Sequence, residues 1–117
     1  LQVVWHKNGQ KMSEGNIKDG KEDGVLMVWH ENGQKKREVN WKDGKKDSLW
    51  TKWDENGQKI REEYYKNGTG NGLQRGWHEN GQIRREENYK DGERVEGSKK
   101  FWNNKGEEVS NFSESFK

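Results

Sequence analysis

Trp29-His30-Glu31-Asn32-Gly33-Gln34 is the stretch that decides the fold, because versions of it return about every 24 residues. The other copies are Trp5-His6-Lys7-Asn8-Gly9-Gln10, Trp53-Asp54-Glu55-Asn56-Gly57-Gln58, Trp77-His78-Glu79-Asn80-Gly81-Gln82 and a degraded Trp102-Asn103-Asn104-Lys105-Gly106-Glu107. A fixed period of this size is typical of an array in which each unit buries its apolar surface against its neighbours. We therefore expect one array of five repeats, at approximately residues 1-23, 24-47, 48-71, 72-96 and 97-117.

Each repeat carries two turn signals, such as Asn32-Gly33 and Asp43-Gly44 in the second repeat. Both dipeptides tolerate the positive φ values of tight hairpin turns. The residues between them include β-branched and aromatic types, and the chain contains no Pro to interrupt a β-ladder. The pattern predicts an all-β protein, an elongated single-layer antiparallel β-meander of repeated hairpins.

The two turns are not equally spaced. Nine residues separate Gly33 from Asp43, whereas eleven separate Gly44 from Asn56. Two tight turns per repeat would shift the strand register by two residues each time. We therefore predict a tight turn at Asn-Gly and a longer polar loop over 43–48, with a counterpart at 68–72.

Aromatic rings are expected on both faces of this sheet, because side chains alternate along a strand. Pairing centred on Asn-Gly predicts Trp29 opposite Lys36, Trp53 opposite Ile60 and Trp77 opposite Arg84. The candidate binding or structural residues are Trp5, Trp29, Trp53, Trp77 and Trp102 on one face, and Trp41, Tyr65 and Tyr89 near the loop glycines on the other. Such rings either hold a thin sheet together or form a platform for a ligand, and we favour the structural interpretation.

Composition limits the class of protein. Only 25% of the residues are hydrophobic and 38% are charged, which is typical of disorder, but the net charge is +2 and there are seven Trp. We expect a folded chain with a thin core. The cations are interleaved with carboxylates rather than clustered, so no nucleic-acid partner is expected.

The sequence says less about location. There is no Cys, and no apolar run is long enough to span a membrane. No signal peptide is visible, which favours a cytoplasmic location over export. Because the chain opens in mid-repeat at Leu1, it is also consistent with a fragment of a longer protein.

No pattern in the chain predicts catalysis, a metal site or a cofactor. His6, His30 and His78 occupy the same position in three repeats, and Asp54 takes that position in the third. They are too far apart to share a zinc ion, and we expect them to brace turns or lie at the surface. The Gly-rich segment 68–72 lacks the Lys-Ser/Thr ending of a phosphate loop. Adjacent carboxylates such as Glu62-Glu63 point to opposite faces of a strand, so they cannot act as a catalytic pair.

The repeats resemble bacterial variants of the MORN repeat, on the strength of segments 38–47 and 62–68. The Trp-x-Glu-Asn-Gly-Gln phrase followed by Tyr-Lys-Asp-Gly is similar to the YwqK-type antitoxin family. The resemblance implies an elongated twisted sheet used for binding. For ordinary members it implies contacts with membrane lipids, and for the variants the antitoxin role in a toxin–antitoxin pair.

From these observations we expect a non-enzymatic scaffold that binds another protein, along a sheet face or at a free edge strand. Homo-oligomers through edge strands and binding of membrane lipid or cell-wall glycan are alternatives. A kinase function, a label sometimes given to bacterial members, is rejected because the chain lacks a kinase Gly-rich loop and catalytic Asp motifs.

Overall fold

The computed structural model describes residues 1–110 and 115, and its strands follow one another in chain order. The end of the fifth predicted repeat, residues 111–114 and 116–117, lies outside the described residues. The strands are β1 Gln2–Trp5, β2 Lys11–Gly15, β3 Ile17–Lys18, β4 Lys21–Glu22, β5 Gly24–Trp29, β6 Lys35–Lys42, β7 Lys45–Trp53, β8 Lys59–Lys66, β9 Thr69–Trp77, β10 Ile83–Lys90, β11 Glu93–Arg94, β12 Lys100–Trp102 and β13 Glu108–Val109.

Most of these strands form one open antiparallel sheet. Its order is β1-β2-β5-β6-β7-β8-β9-β10-β12-β13, with β11 beside β10, while β3 and β4 form a separate two-stranded hairpin. The molecule measures 45 × 35 × 15 Å, so it is a single layer. The predicted all-β meander of hairpins is confirmed.

The Asn-Gly turn is one residue longer than a tight hairpin turn. The His30 backbone N–H donates to the Gln34 carbonyl (2.8 Å), and the Gly33 N–H donates to the His30 carbonyl (3.0 Å). Gly33 has a positive φ of 86°, whereas Asn32 does not. This is the three-residue hairpin loop that ends in a left-handed Gly.

A β-bulge follows this turn, and the partners of the Trp residues differ from those predicted. Trp29 pairs with Lys35, and Val28 pairs with Arg37, which leaves Lys36 as the additional residue. Trp53 likewise pairs with Lys59, and Trp77 pairs with Ile83. The predicted partners Lys36, Ile60 and Arg84 are therefore wrong, because the longer turn shifts the pairing by one residue as far as the bulge. Beyond the bulge, pairs such as Val28–Arg37 follow the predicted register.

The Asp-Gly turn is the tight one. Asp43 and Gly44 both have positive φ, 50° and 79°, and Lys42 pairs directly with Lys45. The longer loop predicted over 43–48, and its counterpart over 68–72, are therefore wrong. Both dipeptide positions take up the left-handed geometry that matches the strand twist, so the chain needs no loop here.

A second bulge, inside the strand, takes up the additional length. In β7, three residues (47–49) lie opposite Asn40 alone, between the pairs Val39–Trp50 and Trp41–Lys46. The Asn40 side chain donates to the Leu49 carbonyl (2.9 Å) and so satisfies a backbone acceptor that the bulge disrupts. Successive repeats therefore stay level without a loop.

Neighbouring repeats are joined at their Asn-Gly ends by the side chains of the recurring phrase. His6 Nε2 lies 2.9 Å from the Trp29 carbonyl, and Asn8 Nδ2 donates to the Glu31 carbonyl (2.7 Å). The Gln10 side chain lies over the bare backbone of Gly33. The same contacts recur as His30 to Trp53, His78 to Trp102, Asn32 to Glu55, Asn80 to Asn104, and Gln34, Gln58 and Gln82 over Gly57, Gly81 and Gly106.

Backbone hydrogen bonds join the same repeats at their Asp-Gly ends. The Gly44 N–H donates to the Glu22 carbonyl (2.9 Å), and the Gly68 N–H donates to the Lys46 carbonyl (2.8 Å). Gly92 and Gly70 repeat this contact at 2.8 Å. Each hairpin is therefore attached to the preceding one at both ends.

The core is thin, as the composition predicts. Among the described residues, Val39 and Phe101 are the buried hydrophobic side chains, 3% and 6% exposed. Basic side chains cover part of the Trp stripe, the row formed by Trp5, Trp29, Trp53, Trp77 and Trp102. Lys35 Nζ lies 5.7 Å from the Trp53 ring centroid, and Lys59 Nζ lies 5.5 Å from that of Trp77. Sheet stability therefore depends on half-buried rings and the bonds between repeats.

We expect Trp53→Ala to lower the free energy of unfolding by about 2–3 kcal/mol, somewhat less than for a fully buried ring. Trp5 is 57% exposed and belongs to the edge strand β1, so Trp5→Ala should cost less than about 1 kcal/mol. Chemical denaturation followed by circular dichroism measures both values. Equal losses would contradict a sheet in which interior rings are held from both sides.

Ser48 has a φ of 64° at a position where other repeats have Gly24, Gly72 and Gly97. We expect Ser48→Gly to raise the free energy of unfolding by about 0.5–1 kcal/mol, because it relieves left-handed strain. The converse change, Gly72→Ser, should lower it by more than about 1 kcal/mol, since φ there is 115° and a Cβ would lie 3.1 Å from Tyr64 Cβ. Thermal unfolding measures the change in stability of both variants. A loss of stability in Ser48→Gly, or a gain in Gly72→Ser, would contradict the bulge geometry.

Candidate functional site

Two neighbouring rows of paired residues, which lie on opposite faces of the sheet, differ in charge. One row of paired residues runs Arg37, Lys52, Arg61, Gly76 and Arg85. The neighbouring row on the other face runs Glu14, Met27, Glu38, Thr51, Glu62, Arg75 and Glu86. We call the side with the first row the basic face and the side with the second row the acidic face.

The ion pairs of the sheet form between side chains on the same face. The Arg37, Arg61 and Arg85 column does not pair with the adjacent Glu38, Glu62 and Glu86 column, because neighbouring residues on a strand point to opposite faces. The carboxylates of Glu62 and Glu86 instead contact Lys59 (3.0 Å) and Arg75 (3.2 Å) on the acidic face. Arg61 contacts Glu63 (3.5 Å) on the basic face.

The candidate aromatic residues divide between these faces. Strand alternation places Trp5, Trp29, Trp53, Trp77 and Trp102 on the acidic face, and Trp41, Tyr65 and Tyr89 on the basic face. Near the loop glycines, the Tyr89 ring lies against Gly70, whereas Gly72 is covered by Tyr64 rather than Tyr65. The rings thus form two separate groups, one on each side of a single layer.

Sequence reasoning missed Trp50, which lies at the centre of the basic face. Lys46 Nζ lies 5.5 Å from the Trp50 ring centroid and 5.0 Å from that of Tyr65, and Arg61 Cζ lies 6.0 Å from Trp50. These are cation–π distances. Trp50 escaped notice because equivalent positions hold Leu26 and Gln74, so it does not follow the repeat. Alternation along β7 from Trp53 would have placed it on the face opposite the Trp stripe.

The bulge after the turn at Asn80-Gly81 adds a side chain to the basic face. Arg84 is the additional residue in β10, and its Nη2 lies 3.7 Å from where a Cβ on Gly76 would be. Arg85 Cβ lies 3.9 Å from the same point. Burial, followed by repulsion from Arg85 and Arg61, lowers the pKa of Arg84 below its usual value. Three guanidinium groups are therefore close enough to interact around one Gly.

An apolar cavity of about 380 Å³ lies at the first two repeats, beside the row of cations. Its apolar lining includes Val4, Met12, Ile17, Leu26, Val28 and Trp41. Arg37 borders it. The equivalent of Leu26 in the next repeat is the larger Trp50.

Two carboxylates on the basic face are held by phenols. The Tyr65 hydroxyl donates to Glu63 Oε2 (2.8 Å), and the Tyr89 hydroxyl donates to Glu87 Oε2 (3.0 Å). Burial and the bond to Glu63 raise the pKa of Tyr65 to about 12, and burial and Glu87 raise the pKa of Tyr89. Both phenols therefore remain protonated donors at neutral pH.

The Nε2 atom of each histidine bonds to a backbone carbonyl of the next Trp-x-x-Asn-Gly phrase. Because a carbonyl only accepts, the proton lies on Nε2. Within residues 1–110 and 115, no group of three His, Asp or Glu is placed to hold a metal ion. No helix in the described part of the chain has the length and apolar character to cross a membrane.

The family model for the MORN repeat variant matches residues 22–43, 46–67 and 71–91, more than half of the chain. Each match spans an Asn-Gly hairpin and ends at the first residue of an Asp-Gly or Asn-Gly turn, Asp43, Asn67 or Asp91. The chain belongs to the MORN repeat variant family. Repeats of this family are generally found in proteins that mediate binding. Comparison with curated proteins and with solved structures found no match.

We expect the Tyr65 phenol to titrate near pH 12 rather than near 10, and Glu63→Gln to move its pKa downward by removing the charged acceptor. Because the folded-state pKa is raised, the contribution of Tyr65 to stability is complete below about pH 10 and is lost as the pH rises towards 12. Ultraviolet titration of the phenolate, compared with a Tyr65→Phe variant, isolates this group. Titration of Tyr65 near pH 10 would contradict the geometry.

Proposed function

We propose that this protein is a non-enzymatic scaffold that binds another protein through its basic face. The partner presents a segment with acidic residues and one apolar side chain. The apolar side chain enters the cavity beside Leu26 and Val28, and the carboxylates contact the row of cations. The supporting observation is the row Arg37, Lys52, Arg61 and Arg85 beside that cavity.

The row of cations is costly to the isolated protein. Like charges opposite one another on paired strands destabilise a sheet, and Arg37–Lys52 and Lys52–Arg61 are such pairs. Arg37 and Lys52 form no ion pair with any residue that the structure describes. A local arrangement that lowers stability without an internal compensation is typical of a binding surface.

The resemblance to the YwqK-type family supplies the narrowest form of this proposal, in which the partner is a toxin. In that form the basic face covers an acidic surface of the toxin. The edge strands β1 and β13 offer a second mode of association, including pairing between two copies of the chain.

Anionic lipid is the second candidate partner, because the same cations fit phosphate headgroups. The cavity favours a protein, since a planar membrane surface supplies no single side chain to fill it. Glycan binding has less geometric support. Lys35 and Lys59 lie over the Trp53 and Trp77 rings, where a sugar would stack.

We expect the double variant Arg37→Glu, Lys52→Glu to lose at least about tenfold in affinity for its partner, because reversed charges slow association and repel carboxylates. Lys66→Glu, Lys90→Glu is the matched control, since alternation from Tyr65 and Tyr89 places both exposed lysines on the acidic face. Pull-down from the native organism with the intact chain, followed by binding measurements over a range of salt concentrations, makes the comparison.

Equal retention of the partner by both double variants would contradict binding at the basic face. Salt-sensitive binding to anionic vesicles, with no protein recovered, would replace the protein proposal with the lipid one. Equal binding to neutral and anionic vesicles would exclude the lipid alternative.

A further inference from the structure

The tetrapeptide Glu-Asn-Gly-Gln occurs three times in the chain, with its asparagine at Asn32, Asn56 and Asn80. An asparagine followed by glycine is prone to deamidation, because glycine has no side chain to shield its backbone nitrogen from the asparagine side chain. All three asparagines are exposed. Since the tetrapeptides are identical, a difference in reactivity among them has to come from their surroundings in the fold.

The backbone around the glycine nitrogen is the same in all three turns. In each turn the Gly N–H donates to the carbonyl three residues earlier, at 3.0 Å for Gly33 and Gly81 and at 3.1 Å for Gly57. The φ values of these glycines are 86°, 88° and 83°. The attacking nitrogen is therefore held in the same way in each copy, and the copies differ in how the asparagine side chain is held.

Two hydrogen bonds hold the side chain of Asn32. Its Nδ2 donates to the Glu55 carbonyl of the next repeat (2.7 Å), and its Oδ1 accepts from the Gln34 backbone N–H (2.9 Å). Asn80 makes the equivalent two bonds, at 2.7 and 3.0 Å. Deamidation turns the side-chain amide towards the glycine nitrogen and expels Nδ2, so both bonds have to be released before it can occur.

Asp54 replaces the asparagine side chain as the brace of the third repeat's turn. It stands where the other two copies have His, and its Oδ1 accepts from the backbone N–H groups of Asn56 and Gln58, both at 2.9 Å. It thereby occupies the Gln N–H that the asparagine uses in the other copies. The Asn56 side chain forms no hydrogen bond with any residue that the structure describes. It is therefore free to turn towards the Gly57 nitrogen.

We propose that Asn56 is a modification site, the asparagine of the recurring phrase at which this chain deamidates. The Gly57 backbone nitrogen forms a bond to the side-chain carbonyl carbon of Asn56. The side-chain nitrogen leaves as ammonia and takes the proton of the Gly57 N–H with it, which closes a succinimide ring. Water then opens the ring at either carbonyl and gives aspartate or isoaspartate.

The product changes the joint between the third and fourth repeats. Its new carboxylate lies beside Asp54, Glu55 and Glu79, which line the same recess. Isoaspartate also lengthens the backbone of the turn by one carbon. Among the described residues, the Gln58 side chain over Gly81 is the one contact of the recurring kind at this joint, whereas the other joints have three. Deamidation therefore occurs where the Asn-Gly turns are held together least.

Incubation of the intact chain at mildly alkaline pH, followed by peptide mapping with mass spectrometry, measures all three asparagines in one sample. We expect Asn56 to react at least about tenfold faster than Asn32 and Asn80, because the release of two ordinary hydrogen bonds slows the others by at least this factor. In concentrated urea, where the turns are unfolded, the three asparagines should react at the same rate.

Exchange of the residue two positions before the asparagine tests the cause. Asp54→His should hold the Asn56 side chain and lower its rate to that of Asn32. The converse change, His30→Asp, should raise the rate of Asn32 to that of Asn56. Asp54→Asn is the matched control, since an asparagine at this position accepts the same two backbone bonds without a charge, as Asn103 does. It should leave Asn56 reactive.

Equal rates at the three asparagines of the folded chain would overturn the proposal, and so would a rate at Asn56 that Asp54→His leaves unchanged. A slow reaction of Asn56 in the Asp54→Asn variant would also overturn it, because the reactivity would then come from the Asp54 charge. If the excess rate at Asn56 persisted in urea, the flanking sequence rather than the released side chain would be responsible, which contradicts the proposal.

Discussion

The structure depends on hydrogen bonds that pass from one hairpin to the next. A sheet one layer thick has no second layer against which to bury its side chains, and its fully buried hydrophobic residues are few. The side chains of His30, Asn32 and Gln34 meet the following turn, and the Gly44 N–H meets the preceding hairpin. These contacts hold the hairpins level, and only a level arrangement brings the half-buried rings and charges of different repeats into rows.

The meander and the face of each repeated residue could be read from the sequence, but the turn lengths and the positions of the bulges could not. Alternating side chains and two turn dipeptides per repeat were sufficient to predict the meander. Asn-Gly and Asp-Gly, however, are both suited to tight turns. Two contacts accompany the observed choice between them. The Gln34 carbonyl accepts from the His30 N–H across the longer turn, and the Asn40 side chain donates to the Leu49 carbonyl in the bulge. Those contacts are visible only after the strands are paired.

The candidate site was only partly predictable for a related reason. Periodicity identifies residues that recur, and it placed Trp41, Tyr65 and Tyr89 opposite the Trp stripe. The basic face also depends on residues that do not recur. Trp50, Gly76 and Arg84 each differ from their equivalents in other repeats, and together they make the cation and ring arrangement local to repeats three and four. A method that looks for repetition passes over residues of this kind.

The bulge opposite Asn40, together with its counterparts in the other repeats, determines how the array tolerates changes in length. In the second and third repeats the bulge contains three residues, whereas the fourth repeat has an additional residue within 95–98. The Val95 N–H still bonds to the Asn88 carbonyl, and Arg85 still pairs with Phe101. The insertion is therefore absorbed at one exposed position, and no side chain beyond it changes face. An insertion or deletion at this point alters the outline of one edge and leaves the two surfaces in phase, so related chains can vary there without losing the alignment that a ligand contacts.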